Sequence, residues 1–171
     1  MSYEIIGETI KSATSIKIGE IFKVATTVDG KTTYTYPKRY KETVSKPTYP
    51  NFYIRQLNLI VTPKGKTRVQ LDYQMNIQYR PVENTETITN LEQRLDEIGL
   101  KLCTELTELN LELPTKTKDR NYEKVDGVLQ MFFNITVYAI PEETPETKMK
   151  NLDLTETINL NINKKLLKEV N

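Results

Sequence analysis

Histidine and tryptophan are absent from this sequence, and cysteine occurs once, at Cys103. Without histidine there is no Ser-His-Asp or Cys-His nucleophile pair and no imidazole to ligate a metal. A single cysteine excludes an internal disulfide and a zinc site of the CxxC type. Cys103 falls inside a helical pattern and reads as a small, half-buried residue. The six glycines, at 7, 19, 30, 65, 99 and 127, are too scattered for a phosphate-cradling loop. The four serines never form a GxSxG elbow. Carboxylate pairs such as Asp96 with Glu97 or Glu142 with Glu143 leave acid–base chemistry formally open. Neighbours on a helix point apart, however, and an acidic linker is ordinarily just solvated. The composition therefore argues against an enzyme, and no catalytic residue, metal or cofactor is expected.

Long apolar runs are missing too, and nothing approaches the roughly 20 residues a membrane span requires. The start, MSYEIIGETIK, has neither a basic n-region nor an apolar h-region, so no signal peptide is expected and synthesis is placed in a reducing cytoplasm. Net charge is close to zero, at +1, with 37% apolar and 27% charged residues. That balance argues against a surface built wholly for nucleic acid. It describes one domain with appendages, a modest core and extensive polar surface.

What is present is alternation. In Thr67–Tyr79 the odd positions Val69, Leu71, Tyr73, Met75, Ile77 and Tyr79 are apolar or aromatic, and the even positions Arg68, Gln70, Asp72, Gln74, Asn76 and Gln78 are polar. Side chains of a strand alternate between faces, so this is a long β-strand with a dry side and a wet side. At about 3.3 Å per residue it reaches roughly 40 Å, twice a usual strand. It must bend at a bulge or run past its own domain. Phe52–Val61 precedes it as a second strand, joined through Pro63-Lys64-Gly65-Lys66 as an antiparallel hairpin.

The other elements follow from period and punctuation. Residues 2–22 read as a helix with Ile6, Ile10 and Ala13 on one face, although Ile16 and Ile18 could begin a strand. VATTV and TTYTY flank Asp29-Gly30, a hairpin signal. Ile88, Leu91, Leu95, Ile98, Leu102, Leu106 and Leu109 form one helical stripe. After a loop at Pro114, Asn121–Val125 and Val128–Ile140 flank a second turn pair, Asp126-Gly127, with Leu129, Met131, Phe133, Ile135, Val137 and Ala139 facing inward. The expected fold is α+β: an antiparallel sheet with long hairpin strands packed by two helices. Residues 1–140 form the domain. Residues 141–171 are a Pro/Glu/Thr linker and a strand-like extension, INLNIN, suited to a sheet edge.

One stretch departs from neutrality. Lys38, Arg39, Lys41 and Lys46 lie in a proline-rich arm at about 25–50, interleaved with Tyr34, Tyr36, Tyr40, Tyr49 and Tyr53 and opposed by Glu42. Basic residues among aromatics suit a protein-contact arm, a nucleic-acid-binding module or a solvated loop. Lys38, Arg39, Tyr40, Lys41 and Lys46 are the candidate contact residues. A nucleic-acid module would bind DNA with a steep salt dependence.

The order of elements, and several stretches within it, resembles the tail terminator (tail completion) proteins of tailed bacteriophages. A YEII helix carries Ile21-Phe22 near its end, and Pro-Asn-Phe-Tyr-Ile opens a strand. IQYRP leads into the leucine-rich helix, and NYEKVDGVLQMFFNITVY is similar to versions in phages and prophages of low-GC Gram-positive hosts. The likeness covers residues 2–24 and 50–140; the arm is longer than the family pattern, and the tail beyond Ile140 is extra. The resemblance implies a non-enzymatic, hexameric ring in the virion, assembled in the host cytoplasm, at the head-proximal end of the tail tube. There it would stop tube polymerisation and join the head–tail connector or neck, with a sheath as a further partner. DNA would pass through the lumen without specific binding, and no membrane is involved. A neck, head-closure or tube ring is the neighbouring alternative. Under this reading Arg68, Gln70, Asp72, Gln74, Asn76 and Gln78 present a lumen or inter-subunit face.

Overall fold

The computed structural model describes residues 3–65, 68–82 and 88–140, and in them two helices pack on one face of a six-stranded sheet, with a separate hairpin alongside. Helix α1 spans Tyr3–Ile21 and α2 spans Ile88–Glu105. The strands are β1 (Val24–Val28), β2 (Lys31–Thr35), β3 (Lys38–Tyr40), β4 (Asn51–Pro63), β5 (Val69–Arg80), β6 (Glu108–Asn110), β7 (Pro114–Val125) and β8 (Val128–Ala139). The tail 141–171, including INLNIN, lies outside the described residues.

Strand order in the large sheet is β3-β4-β5-β8-β7-β6, so the alternating strand β5 sits in the middle. Its dry side is the floor of the core: Leu71, Tyr73, Met75 and Ile77 are fully or almost fully buried, beside Met131, Phe133 and Ile135 of β8. Each such side chain stabilises by roughly 1.5–3 kcal/mol relative to exposure. Helix α1 contributes Ile6, Ile10, Ala13, Ile18 and Ile21; α2 contributes Leu95 and Leu102. Because α1 touches both β4 and β6, which lie near opposite ends of the strand order, the sheet must curl around it. Phe22, Phe52 and Tyr79 close one end of the core, with successive ring centroids 5.0 Å apart.

Expectation and structure differ at three places, and an open alternative is resolved. The sheet is mixed and not purely antiparallel, because β3 pairs parallel to β4, Lys38 opposite Asn51. The proline-bearing loop 41–50 carries the chain back to start β4 in the same direction. Helix α1 runs on to Ile21 as the helical reading of 2–22 has it, burying Ile18 and leaving Ile16 exposed, so the alternative strand does not begin there. Helix α2 stops at Glu105, and Leu109, the last member of its stripe, is instead on β6. From Leu109 through Leu111 to Leu113 the apolar spacing becomes two, which is strand geometry, and Leu109 still reaches the core. Lastly, Pro114 opens β7; a proline is tolerated as the first residue of a strand.

Both Asp-Gly turns form as expected. Asp29 and Gly30 have φ of 50° and 74°, Asp126 and Gly127 of 53° and 73°, the doubly positive geometry of a type I′ hairpin. The long strand does meet a bulge, on its partner. Register shifts between Gln56 and Asn58 of β4. Before it, Phe52 and Ile54 face the core; after it, Leu59 packs against the core, while Val61 on the same side of the strand is exposed. One extra residue re-phases the pattern.

Candidate functional site

Two surfaces stand out: the sheet face turned away from the helices, and the basic edge beyond β4. The outer face is set by the even positions of β5 and their cross-strand partners. Register places Gln70, Asp72, Gln74, Asn76 and Gln78 opposite Tyr138, Thr136, Asn134, Phe132 and Gln130 of β8. On the other flank the partners are Thr62, Ile60, Asn58, Arg55 and Tyr53 of β4.

These polar groups bond mainly to one another. Thr136 Oγ1 and Gln70 Nε2 each donate to the Asp72 carboxylate at 2.7 Å. The Thr136 bond, aided by Gln70 and by nearby Lys118 and Lys64, holds the Asp72 carboxyl below its ordinary range against a desolvation that acts the other way. Asn134 Nδ2 donates to Asp119 Oδ2 at 2.9 Å, and Arg80 Nη2 to Gln78 Oε1 at 2.9 Å, its guanidinium 5.4 Å from the Tyr53 ring. Arg55 Nε donates to Asn76 Oδ1 at 3.1 Å, and Asn76 Nδ2 to the carbonyl of Met131 at 3.3 Å.

Of the six residues expected on this face, Arg68 and Gln74 are exposed and Gln70 and Asp72 half-exposed. Asn76 is fully buried and Gln78 nearly so. Asn76 therefore serves the sheet itself, and the accessible part of the strand is its Arg68–Gln74 half. Thr136→Val should raise the pKa of Asp72 by removing its largest stabilising bond. The sign follows from the depression: a carboxylate lowered in the fold adds stability above its unfolded pKa and loses it as pH falls through the folded one. The variant should thus flatten the acid limb of the stability curve, as carboxyl NMR titration and acid denaturation would read. An unmoved Asp72 titration would show that Thr136 does not set it.

The basic stretch is not a free arm. Lys38, Arg39 and Tyr40 form edge strand β3, and three of the five candidate residues are tied back to the domain. Arg39 Nη1 donates to the carbonyl of Ser15 at 2.8 Å, across the surface of Gly19 in α1. Lys41 Nζ donates to Ser12 Oγ at 3.1 Å. Tyr40 Oη accepts the backbone N–H of Thr48 at 3.0 Å, which lowers its pKa by favouring the phenolate. Lys38 and Lys46 are exposed and have no ion-pair partner among the described residues. Arg39 thus belongs to the fold, and the surface on offer is Lys38, Lys41 and Lys46.

Sequence reasoning missed the exposure of the β1–β2 hairpin, all ten of whose strand residues are exposed. It also missed a clasp between α2 and β7: Lys124 Nζ donates to Asp96 Oδ2 at 2.7 Å, while the Tyr122 ring lies against Gly99. A Cβ on Gly99 would come within 2.6 Å of that ring. Glycines inside helices at 7, 19 and 99, each costing helix propensity, mark such close approaches. Among the described residues no group of Asp, Glu or Cys is placed to hold a metal, and no helix is long and apolar enough to cross a membrane.

The central hairpin, the two covering helices and the closing Asp126-Gly127 hairpin can now be set against known proteins. A comparison with curated proteins gives no match. The family model for the phage tail terminator protein matches residues 10–147, from within α1 to past the end of β8. The chain therefore belongs to the phage tail terminator family and is a structural component of the bacteriophage tail.

Proposed function

We propose that copies of this chain close into a hexameric ring on the head-proximal end of the tail tube, end its polymerisation and present a docking surface to the head–tail connector or neck. A sheath, where the tail has one, would meet the outside of the same ring. The supporting observation is the outer sheet face. Its central polar side chains are largely uncharged and already bonded to each other, with the Asp72 charge held by Thr136 and Gln70. A surface of that kind lets DNA pass without holding it, because it offers phosphates few free cations. On this reading Arg68, Gln70, Asp72 and Gln74 line the lumen or the seam between copies. Residues 1–140 build the ring and residues 141–171 form an extension from it. Lys38, Lys41 and Lys46 mark a surface for a partner.

The experiment is tube growth in the presence of the purified chain. Tubes should stop lengthening and carry, in electron micrographs, a six-fold ring of this protein at one end. Tubes that keep growing with bare ends would refute the proposal.

A further inference from the structure

The near-zero net charge of the chain hides two opposed segments. Residues 23–46 hold Lys23, Lys31, Lys38, Arg39, Lys41 and Lys46 against Asp29 and Glu42, a net +4. Residues 92–112 hold six acids, at 92, 96, 97, 105, 108 and 112, against Arg94 and Lys101, a net −4. The first segment is the β1–β2 hairpin and edge strand β3; the second is most of α2 and edge strand β6. The two edge strands stand at opposite ends of the strand order, so the subunit carries a basic sheet edge and an acidic one.

Among the described residues neither set is neutralised by ion pairs. Lys31, Lys38 and Lys46 are exposed without ion-pair partners among the described residues, and so are Glu105, Glu108 and Glu112. Asp96 is compensated, by Lys124. The hairpin adds a second observation. A two-stranded ribbon is marginal alone in water, yet β1 and β2 bury none of their residues in this subunit. Apolar groups sit within both patches: Tyr34 and Tyr36 are about half-exposed on the basic side, and Leu113 is 75% exposed on the acidic side.

From this geometry we infer that a second copy of this chain is the partner of the basic edge: β1–β2 and β3 of one copy seat against the end of α2 and β6 of the next. The inference rests on the ring reading and names its seam. Lysines on an edge strand ordinarily deter pairing between like edges. Here like edges repel while unlike edges attract, which selects head-to-tail contact. Each added copy leaves one free edge of each sign, so association continues until the rotation closes it.

Two charge-reversed variants test this by sedimentation and native mass spectrometry. In one, Lys31, Lys38 and Lys46 become Glu; in the other, Glu105, Glu108 and Glu112 become Lys. All six side chains are exposed, and circular dichroism should show unchanged folds. Wild-type assembly should weaken as salt screens the contact, and each variant alone should assemble at least about tenfold more weakly. Mixed in equal amounts, the variants should assemble again, because acidic hairpins then meet basic edges and basic hairpins meet acidic ones. Variants that assemble alone like the wild type, a mixture that fails to recover, or a wild type that stays monomeric would each overturn the inference. The ring reading fails separately. If the mixture reassembles but tubes still grow past it, the seam stands and tube capping falls. If tubes stop while the reversals leave assembly untouched, capping stands and the seam falls.

Discussion

Phe133→Ala is expected to remove about 3–5 kcal/mol of folding stability, whereas Phe132→Ala, one residue earlier, should cost at most about 1.5 kcal/mol. The two phenylalanines are adjacent on β8 and chemically identical, so the difference lies wholly in which way each points. Phe133 is fully buried, opposite Met75 on the core side of β5. Truncating it deletes a ring and leaves a cavity that close-packed neighbours can fill only in part. Phe132 is half-exposed on the outer face, opposite Asn76. Because a domain is stable by only about 5–15 kcal/mol, the first loss consumes much of the margin. Equilibrium urea unfolding of both variants measures it. Equal losses would mean that β8 pairs one residue out of register, since a single step exchanges the faces of the whole strand.

That pair shows what was legible in the sequence and what was not. The alternation Leu129, Met131, Phe133, Ile135 assigns Phe133 inward without any structure, as the alternation of β5 assigns Tyr73. Period-two and period-three-to-four patterns report local geometry, so the long strands, both Asp-Gly hairpins and the body of α2 could be read directly. Contacts between distant segments leave no such periodic trace. Leu109 continues the spacing of α2 while belonging to β6, because both arrangements place it in the core. The parallel pairing of β3 depends on where loop 41–50 delivers the chain, which no local pattern encodes. For the candidate surfaces, sequence separated the polar side of β5 from its core side but could not tell that Arg55 and the neighbouring strand enclose Asn76. It marked the basic stretch but not that Arg39 had already been taken up by α1. The one available signal was Gly19, a poor helix residue inside a helical pattern.

Gly19 and Arg39 should therefore be coupled, with a change of sign. In an isolated helix, replacing glycine by alanine stabilises by about 1 kcal/mol. Here a Cβ on Gly19 would fall inside the guanidinium of Arg39, which crosses that point to reach the carbonyl of Ser15. The guanidinium is the far end of a flexible side chain, so it can swing clear without moving the backbone. Doing so forfeits a charge-assisted hydrogen bond of about 1.5–3 kcal/mol. Gly19→Ala in the wild type should then be destabilising by about 0.5–2 kcal/mol, the lost bond less the helix gain. Arg39→Ala alone should lose the full bond together with the packing of its methylene stem on α1. In the Arg39→Ala background nothing obstructs the new methyl group, and Gly19→Ala should stabilise by about 1 kcal/mol. The coupling from the double-mutant cycle, read by urea denaturation, is thus expected at about 1.5–3 kcal/mol. Additive losses would show that Arg39 is not anchored on α1, and would return β3 to the status of a free arm. A coupling of the expected size fixes β3 as part of the folded subunit, so that Lys38 projects from a rigid edge and would meet a partner without first paying to order a loop.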